Sequence, residues 1–196
     1  MKKYHGTPIG GSRQDTARFL VGRDALVPFP RRDDMGAVGE FCRSFVFDNG
    51  AFSVWKRGAV LDVQGFTDWC DEWHRHPGFD WALIPDVIDG TAEDNDALLT
   101  DWPAHIRGVP IFHLHEPLER AERLANMYPI VALGSSGEGP TPGAARGASK
   151  VAAACSFSED GNEIEGSSFC SFHSVFDISK CRNHHKLSYY AFFFCF

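Results

Sequence analysis

Residues 45–55 read FVFDNGAFSVW, an apolar stretch that a carboxylate, an amide and a glycine interrupt before aromatic residues resume. The leading residues have the composition of a buried strand, and Asp48, Asn49 and Gly50 end it. One interpretation is a plain turn, since Asp, Asn and Gly all favour turns for local reasons. The other is functional, because proteins built on parallel strands carry their chemistry at the carboxyl ends of those strands. On the second interpretation, Asp48 begins a functional loop.

The same pattern recurs along the chain up to about residue 143. Short apolar segments alternate with amphipathic ones, which is typical of βαβ units and a parallel sheet. Strands are predicted at residues 3–5, 25–28, 44–48, 81–85, 109–113 and 130–133, and helices at residues 12–21, 32–42, 63–74, 92–105 and 117–127. We therefore predict an α/β fold, either an open doubly wound sheet or an incomplete, TIM-barrel-like (β/α)8 barrel of about six βα units.

One predicted helix has an especially clear apolar face. Phe66, Trp69, Cys70 and Trp73 follow each other at helical spacing and form a single stripe. Such a stripe is typical of a helix that packs on a core. These aromatic residues are therefore assigned to the core and not to a ligand site.

Polar residues stand at most of the predicted strand ends, and no Gly-rich dinucleotide-binding turn follows a strand. Asp86 and Asp89 follow the fourth predicted strand, where they alternatively cap the next helix. His113 and His115 stand at alternate positions of the fifth, and we expect them to point to opposite faces. Residues 134–137 read GSSG and suit a phosphate at a late barrel loop or a plain loop.

Length and composition limit the class of protein. The chain has 196 residues and 43% hydrophobic residues, enough for one domain with a sizeable core. The formal net charge of −7 argues against a generally basic nucleic-acid surface, although a local basic groove is compatible with it. No leader or membrane span is recognisable, and the six cysteines include no close CxxC pair. We expect a reduced, cytoplasmic setting.

The alternation of short apolar and amphipathic segments stops after residue 143, so we divide the chain into a barrel-like part, 1–143, and an atypical tail, 144–196. The tail loses the strand–helix rhythm and ends in the apolar run YYAFFFCF. A shifted reading frame is the favoured interpretation, and a poorly patterned subdomain is the alternative. Tail cysteines and histidines have a spacing that loosely imitates a zinc site, but no strong motif frames them, so no metal is predicted there.

Five of these segments, taken in order, resemble the tRNA-guanine transglycosylase superfamily. They are YHGTPIGG (4–11), FDNGAF (47–52), IPDVIDG (84–90), FHLHE (112–116) and ALGSSG (132–137). DNGAF is similar to that family's Asp-Ser-Gly-Gly-Phe motif. The nearest branch is the DpdA-like group of phage and bacterial proteins linked to 7-deazaguanine modification of DNA. The resemblance covers roughly residues 4–143.

The resemblance implies a (β/α)8 barrel that exchanges a base in DNA or tRNA for a 7-deazaguanine. It implies catalytic roles for Asp48, as a proton acceptor near the purine, and for Asp86, at the amidine edge of the base. Phe52 would stack on the base, and Gly134 would present backbone groups to its exocyclic oxygen. The full substrate-binding set it suggests is Asn49, Gly50, Phe52, Asp89, His115, Glu116, Gly134 and Ser135.

The chain also departs from that family. The nucleophilic Asp and the Cys-rich zinc site are expected on later strands, where this chain has its tail. The sequence therefore predicts no cofactor, and zinc belongs only to the full-length relatives. We therefore expect a transglycosylase-like protein that exchanges or binds a guanine or 7-deazaguanine base of nucleic acid, or that is inactive in exchange if the chain is a truncated copy.

Two other functions are compatible with the same residues. One is another barrel enzyme acting on a small phosphorylated substrate. Asp48, Asp86, His115 and Glu116 would then serve as metal ligands or as acid–base groups. The other is a non-enzymatic barrel remnant that binds a nucleobase or nucleic acid.

Overall fold

A computed structural model describes residues 2–7 and 12–134, together with the backbone of residues 175–177 and 190–192. The chain forms two compact units, one of residues 1–87 and 94–109 and the other of residues 88–93 and 110–196. We call them the first and the second unit. The predicted boundary at residue 143 lies outside the described residues.

The first unit is built on a five-stranded sheet. Its strands are β1 Tyr4–Gly6, β2 Asp24–Pro28, β3 Ser44–Asp48, β4 Phe79–Leu83 and β5 Gly108–Val109. They lie in chain order, and each adjacent pair is parallel. The prediction of an α/β fold with a parallel sheet is therefore confirmed, and β3 has the bounds predicted from the sequence.

Helices connect these strands. They are α1 Arg13–Leu20, α2 Met35–Phe41, α3 Ala51–Lys56, α4 Val63–Trp73 and α5 Ala92–Asp101, and a 3-10 helix, Phe29–Asp34, precedes α2. Side-chain caps fix two of the helix starts: Ser12 accepts from the backbone N of Asp15, and Asp62 from that of Gly65. None of the helices in the described part of the chain has the length and apolar character to cross a membrane.

The core of the first unit lies between the sheet and its helices. Phe47 stacks on Trp69 of α4 with ring centroids 3.7 Å apart, and Phe45 packs in the same cluster. The prediction that the stripe of α4 belongs to the core is confirmed. Since residues alternate along a strand, Val46 and Asp48 lie on the opposite face of the sheet, and both are buried. Burial on both faces is typical of parallel sheets.

The second unit contains a shorter parallel pair, β6 Ile111–His113 and β7 Ala132–Gly134, with α6 Leu118–Met127 between them in the chain. Residues 175–177 and 190–192 form an antiparallel pair, β8 Val175–Asp177 and β9 Tyr190–Phe192. The sequence predicted one strand over residues 109–113, and this is corrected: Pro110 separates β5 from β6. Proline lacks the N–H that a continuous ladder needs.

Candidate functional site

The turn after β3 is held by two side-chain oxygens, each of which accepts an N–H two residues further along. Gly50 N donates to Asp48 Oδ1 at 3.0 Å, and Ala51 N donates to Asn49 Oδ1 at 2.7 Å. Gly50 has a φ of 75°, in the left-handed region that glycine tolerates. The turn interpretation of Asp-Asn-Gly is confirmed. The same turn leaves a buried carboxylate at the carboxyl end of β3.

Asn49 joins the ends of two neighbouring strands. Its Nδ2 donates to the carbonyl oxygen of Ile84 at 3.0 Å and to Oδ1 of Asp86 at 2.8 Å. Asn49 is 1% exposed, and Asp48 and Asp86 are each 7% exposed. The predicted residues Asp48, Asn49, Gly50 and Asp86 are therefore brought together at the carboxyl ends of β3 and β4. We call Asp48, Asn49 and Asp86 the acidic cluster.

A residue that the sequence did not single out fixes the loop beyond Asp86. Asn95 of α5 is 2% exposed; its Oδ1 accepts from Val87 N at 2.8 Å, and its Nδ2 donates to Val87 O at 3.3 Å. Both backbone groups of Val87 are thus tied to one side chain. The only signal in the sequence is an amide among the acidic residues AEDND at the start of α5.

Burial sets the electrostatics of Asp48. It raises the pKa of that carboxyl group to about 6, a hydrogen bond from the Gly50 N–H opposes the rise, and the negative charge of Asp86 adds to it. Asp24 is a buried carboxylate at the opposite ends of the strands, where β2 begins, and its pKa is shifted in the other direction. Burial would raise the pKa of Asp24 as well, but hydrogen bonds from Arg43 and Ser44 hold it below the usual range. Asp48 therefore titrates near neutral pH while Asp24 stays ionised.

Asp48→Asn is expected to change how stability depends on pH. A carboxyl group whose pKa is higher in the folded state stabilises the fold when protonated, and this contribution is lost as pH rises through about 6. Relative to the variant, the native chain should lose about 2 kcal/mol of unfolding free energy between pH 4.5 and 7.5. Urea unfolding of both proteins at the two pH values measures this. A difference that does not vary with pH would contradict the shifted pKa.

The other predicted residues lie in both units. Phe52 is half-buried on α3, and its ring centroid is 5.8 Å from that of Trp55. Asp89, His115, Glu116 and Gly134 belong to the second unit. Asp89 is exposed, and Gly134 ends β7. Ser135 lies outside the described residues.

The expectation that His113 and His115 point to opposite faces is wrong, because residues two positions apart on a strand lie on the same face. Strand β6 ends at His113, so His115 lies in the following turn. Their rings lie 5.6 Å apart with an interplanar angle of 26°, which is a stacked arrangement on one side. His113 is buried, whereas His115 is exposed with Nε2 3.0 Å from the carbonyl oxygen of Gly90.

Glu116 belongs to a buried ion pair. Its Oε2 lies 2.6 Å from Nη1 of Arg120 and accepts from the backbone N of His113 at 2.9 Å. Arg120 Nη1 also donates to the carbonyl oxygen of Ile111 at 2.9 Å. The pair thus ties the start of α6 to both ends of β6. A substrate contact by Glu116 stays a prediction.

The acidic cluster can do two things chemically. Its carboxylate oxygens are acceptors at the end of a buried sheet, suited to a ligand edge with adjacent N–H donors. With a pKa of about 6, Asp48 can also take up or release a proton near neutral pH.

Compared with known proteins, the chain matches no family model, no curated protein and no solved structure.

Proposed function

We propose that this chain binds a guanine or 7-deazaguanine base of DNA or tRNA in the manner of a transglycosylase, with the acidic cluster as the base-recognition site. The observation that carries the proposal is the hydrogen bond from Asn49 Nδ2 to Asp86 Oδ1, 2.8 Å long, which holds a second carboxylate beside Asp48. The resemblance of residues 47–52 and 84–90 to the transglycosylase segments supports the same assignment.

The chemistry of the base fits these residue types. A guanine-like edge carries N1–H and N2–H donors side by side, and a carboxylate offers two acceptor oxygens at matching separation. Asp86 is assigned to this edge. Phe52 is assigned to the face of the base, where stacking on an aromatic ring contributes about 1–3 kcal/mol. A base must leave its stack to be bound in this way.

Asp48 is assigned to proton handling. A group that accepts a proton from the entering base, or returns one to the departing base, works best with a pKa near the ambient pH. The Asp48 pKa of about 6 meets that requirement. Exchange with retention would additionally need a nucleophile that attacks the anomeric carbon of the sugar, and no residue of this chain is assigned to that step.

The finer fold proposed with this function is a (β/α)8 barrel. A doubly wound sheet changes strand order at a switch point, whereas the five strands of the first unit follow one another in chain order with parallel neighbours throughout. This order is what consecutive barrel strands have. The parallel pair β6 and β7 is of the same kind.

Asp86→Asn tests the function. The variant leaves one N–H donor of the base facing an amide, so binding of free 7-deazaguanine should weaken by about 1–3 kcal/mol, or roughly 5- to 150-fold in Kd. Calorimetric titration of the native chain and the variant measures it. Asp68→Asn, an exposed change on α4, is the matched control and should leave Kd unchanged.

Two outcomes would count against the proposal, and a third would limit it to binding. If the native chain does not bind 7-deazaguanine, the base-binding function is wrong. If Asp86→Asn and Asp68→Asn bind equally well, Asp86 does not contact the base. If binding is present but no base is exchanged in DNA or tRNA, the chain is a binding protein and not a transferase.

A further inference from the structure

A second group of polar side chains lies elsewhere in the first unit, on the C-terminal end of α4 and the segment after α5. Asp71 lies on the last turn of α4, His74 follows the last residue of that helix, and His105 precedes β5. In a βαβ unit the helix runs antiparallel to the strands, so its C-terminal end lies at the edge where the strands begin. Asp71, His74 and His105 are therefore at the opposite edge of the sheet from the acidic cluster.

These three side chains converge closely. His105 Nε2 lies 2.6 Å from Asp71 Oδ1, and His74 Nδ1 lies 3.6 Å from the same oxygen. One ligand atom from each of the three residues lies within 4.8 Å of the other two. Among the residues that the structure describes, this is the group of three His, Cys, Asp or Glu side chains with such spacing.

We propose that Asp71, His74 and His105 bind a divalent transition-metal ion, with Zn²⁺ the best fit. Two imidazoles and one carboxylate are donors that zinc takes readily, whereas Mg²⁺ and Ca²⁺ take oxygen ligands. Three protein ligands leave the fourth tetrahedral position to water or to an external group. The ion would take the place of the direct contact between His105 Nε2 and Asp71 Oδ1.

The distances suit this ion after small side-chain movements. Tetrahedral zinc with ligands at about 2.0–2.1 Å needs ligand atoms about 3.3 Å apart, and the separations of 2.6 and 3.6 Å lie on either side of that value. The side chains of Asp71 and His105 are 59% and 58% exposed, so both are able to move. The side chain of His74 is 12% exposed, and its Nδ1 also lies 2.7 Å from the carbonyl oxygen of Asp71, a contact that the ion would replace if it is bound through Nδ1.

The consequence for the fold is a cross-link made by the metal ion between two distant parts of the chain. Asp71 and His105 are 34 residues apart in the chain, and the ion would tie the end of α4 to the segment that leads into β5. Metal that binds the folded chain and not the unfolded one stabilises it, by an amount that grows with the metal concentration relative to Kd. The thermal unfolding temperature of the first unit should rise when the site fills.

The experiment uses the full chain and compares variants, because the tail has cysteines and histidines of its own. Zn²⁺ stoichiometry and thermal unfolding by tryptophan fluorescence are measured for the native chain and for Asp71→Asn/His105→Ala. The native chain should bind one more Zn²⁺ than this variant and unfold at a higher temperature in Zn²⁺ than without it. Asp68→Asn, on the same helix, should behave as the native chain.

Co²⁺ provides the second readout. Tetrahedral Co²⁺ at this site should give visible absorption bands in the native chain that are absent from the double variant. His105→Gln, a single change outside the helices, repeats the test if the double variant does not fold. Equal Zn²⁺ stoichiometry, equal unfolding temperatures and identical Co²⁺ spectra in the native chain and in the variant that folds would overturn the proposal.

Discussion

Replacing Arg120 with methionine is expected to destabilise the second unit by about 3–5 kcal/mol. Methionine fills much of the volume of the arginine stem but removes the cation that faces Glu116. Both side chains of the pair are almost fully buried, 2% and 1% exposed. The variant therefore leaves the Glu116 carboxylate, which accepts from the His113 backbone N–H, buried without the cation that faces it, and breaking a buried ion pair from one side is among the largest single destabilising effects in proteins.

Hydrogen exchange of peptides from residues 110–134 measures this loss, because slow amides report the opening free energy of their own region. Arg123→Met is the matched control: it is the same substitution on the exposed side of α6, and it should change stability by less than about 0.5 kcal/mol. The double variant Glu116→Gln/Arg120→Met also removes the negative charge of Glu116 and should recover part of the lost stability. If Arg120→Met exchanges no faster than Arg123→Met, the pair does not stabilise this unit.

The alternation of strands and helices was predictable because it follows from which residues of each segment are buried. Strands covered on both faces are continuously apolar, and helices that pack on them show apolar stripes such as that of α4. These two patterns predicted the alternation of strands and helices up to β7. The end of β3 was predictable to the residue because turn chemistry is local: Asp48 and Asn49 accept N–H groups only two positions away. Local signals of this kind need no knowledge of the tertiary fold.

What the sequence did not reveal depends on contacts between distant residues. The bond from Asn49 to Asp86 crosses 37 positions, and the pairing of Asp71 with His105 crosses 34. The spacing of Glu116 and Arg120 suits a helix-surface ion pair, but nothing in that spacing reveals that both are buried. Helix α3 was missed because a glycine with positive φ precedes it and no side chain caps it, which removes the usual start signal.

The sharpest test of the strand-end turn is Gly50→Ala, which is expected to destabilise the first unit by about 2–4 kcal/mol. Two effects add. An alanine in the left-handed region is strained by about 1–2 kcal/mol. Its Cβ would also lie 2.6 Å from Cδ and 3.0 Å from Cγ of Pro30, and a proline ring cannot swing aside, so the backbone of the turn must shift by several tenths of an ångström.

Gly58→Ala separates these two effects. Gly58 has a φ of 64°, close to the 75° of Gly50, but a Cβ there meets no atom within 4 Å. It should therefore show the conformational strain alone, about 1–2 kcal/mol. The difference between the two variants is the steric term from Pro30. All five tryptophans lie in the first unit, so urea unfolding followed by their fluorescence reports on that unit.

The same pair of variants connects stability to function. A shift of the turn at Gly50 moves Asp48 and Asn49, whereas a change at Gly58 leaves the acidic cluster as it is. Under conditions where both variants are folded, Gly50→Ala should therefore weaken 7-deazaguanine binding and Gly58→Ala should not. Equal destabilisation by the two variants would show that Pro30 gives way, and the turn would then not depend on a glycine for steric reasons.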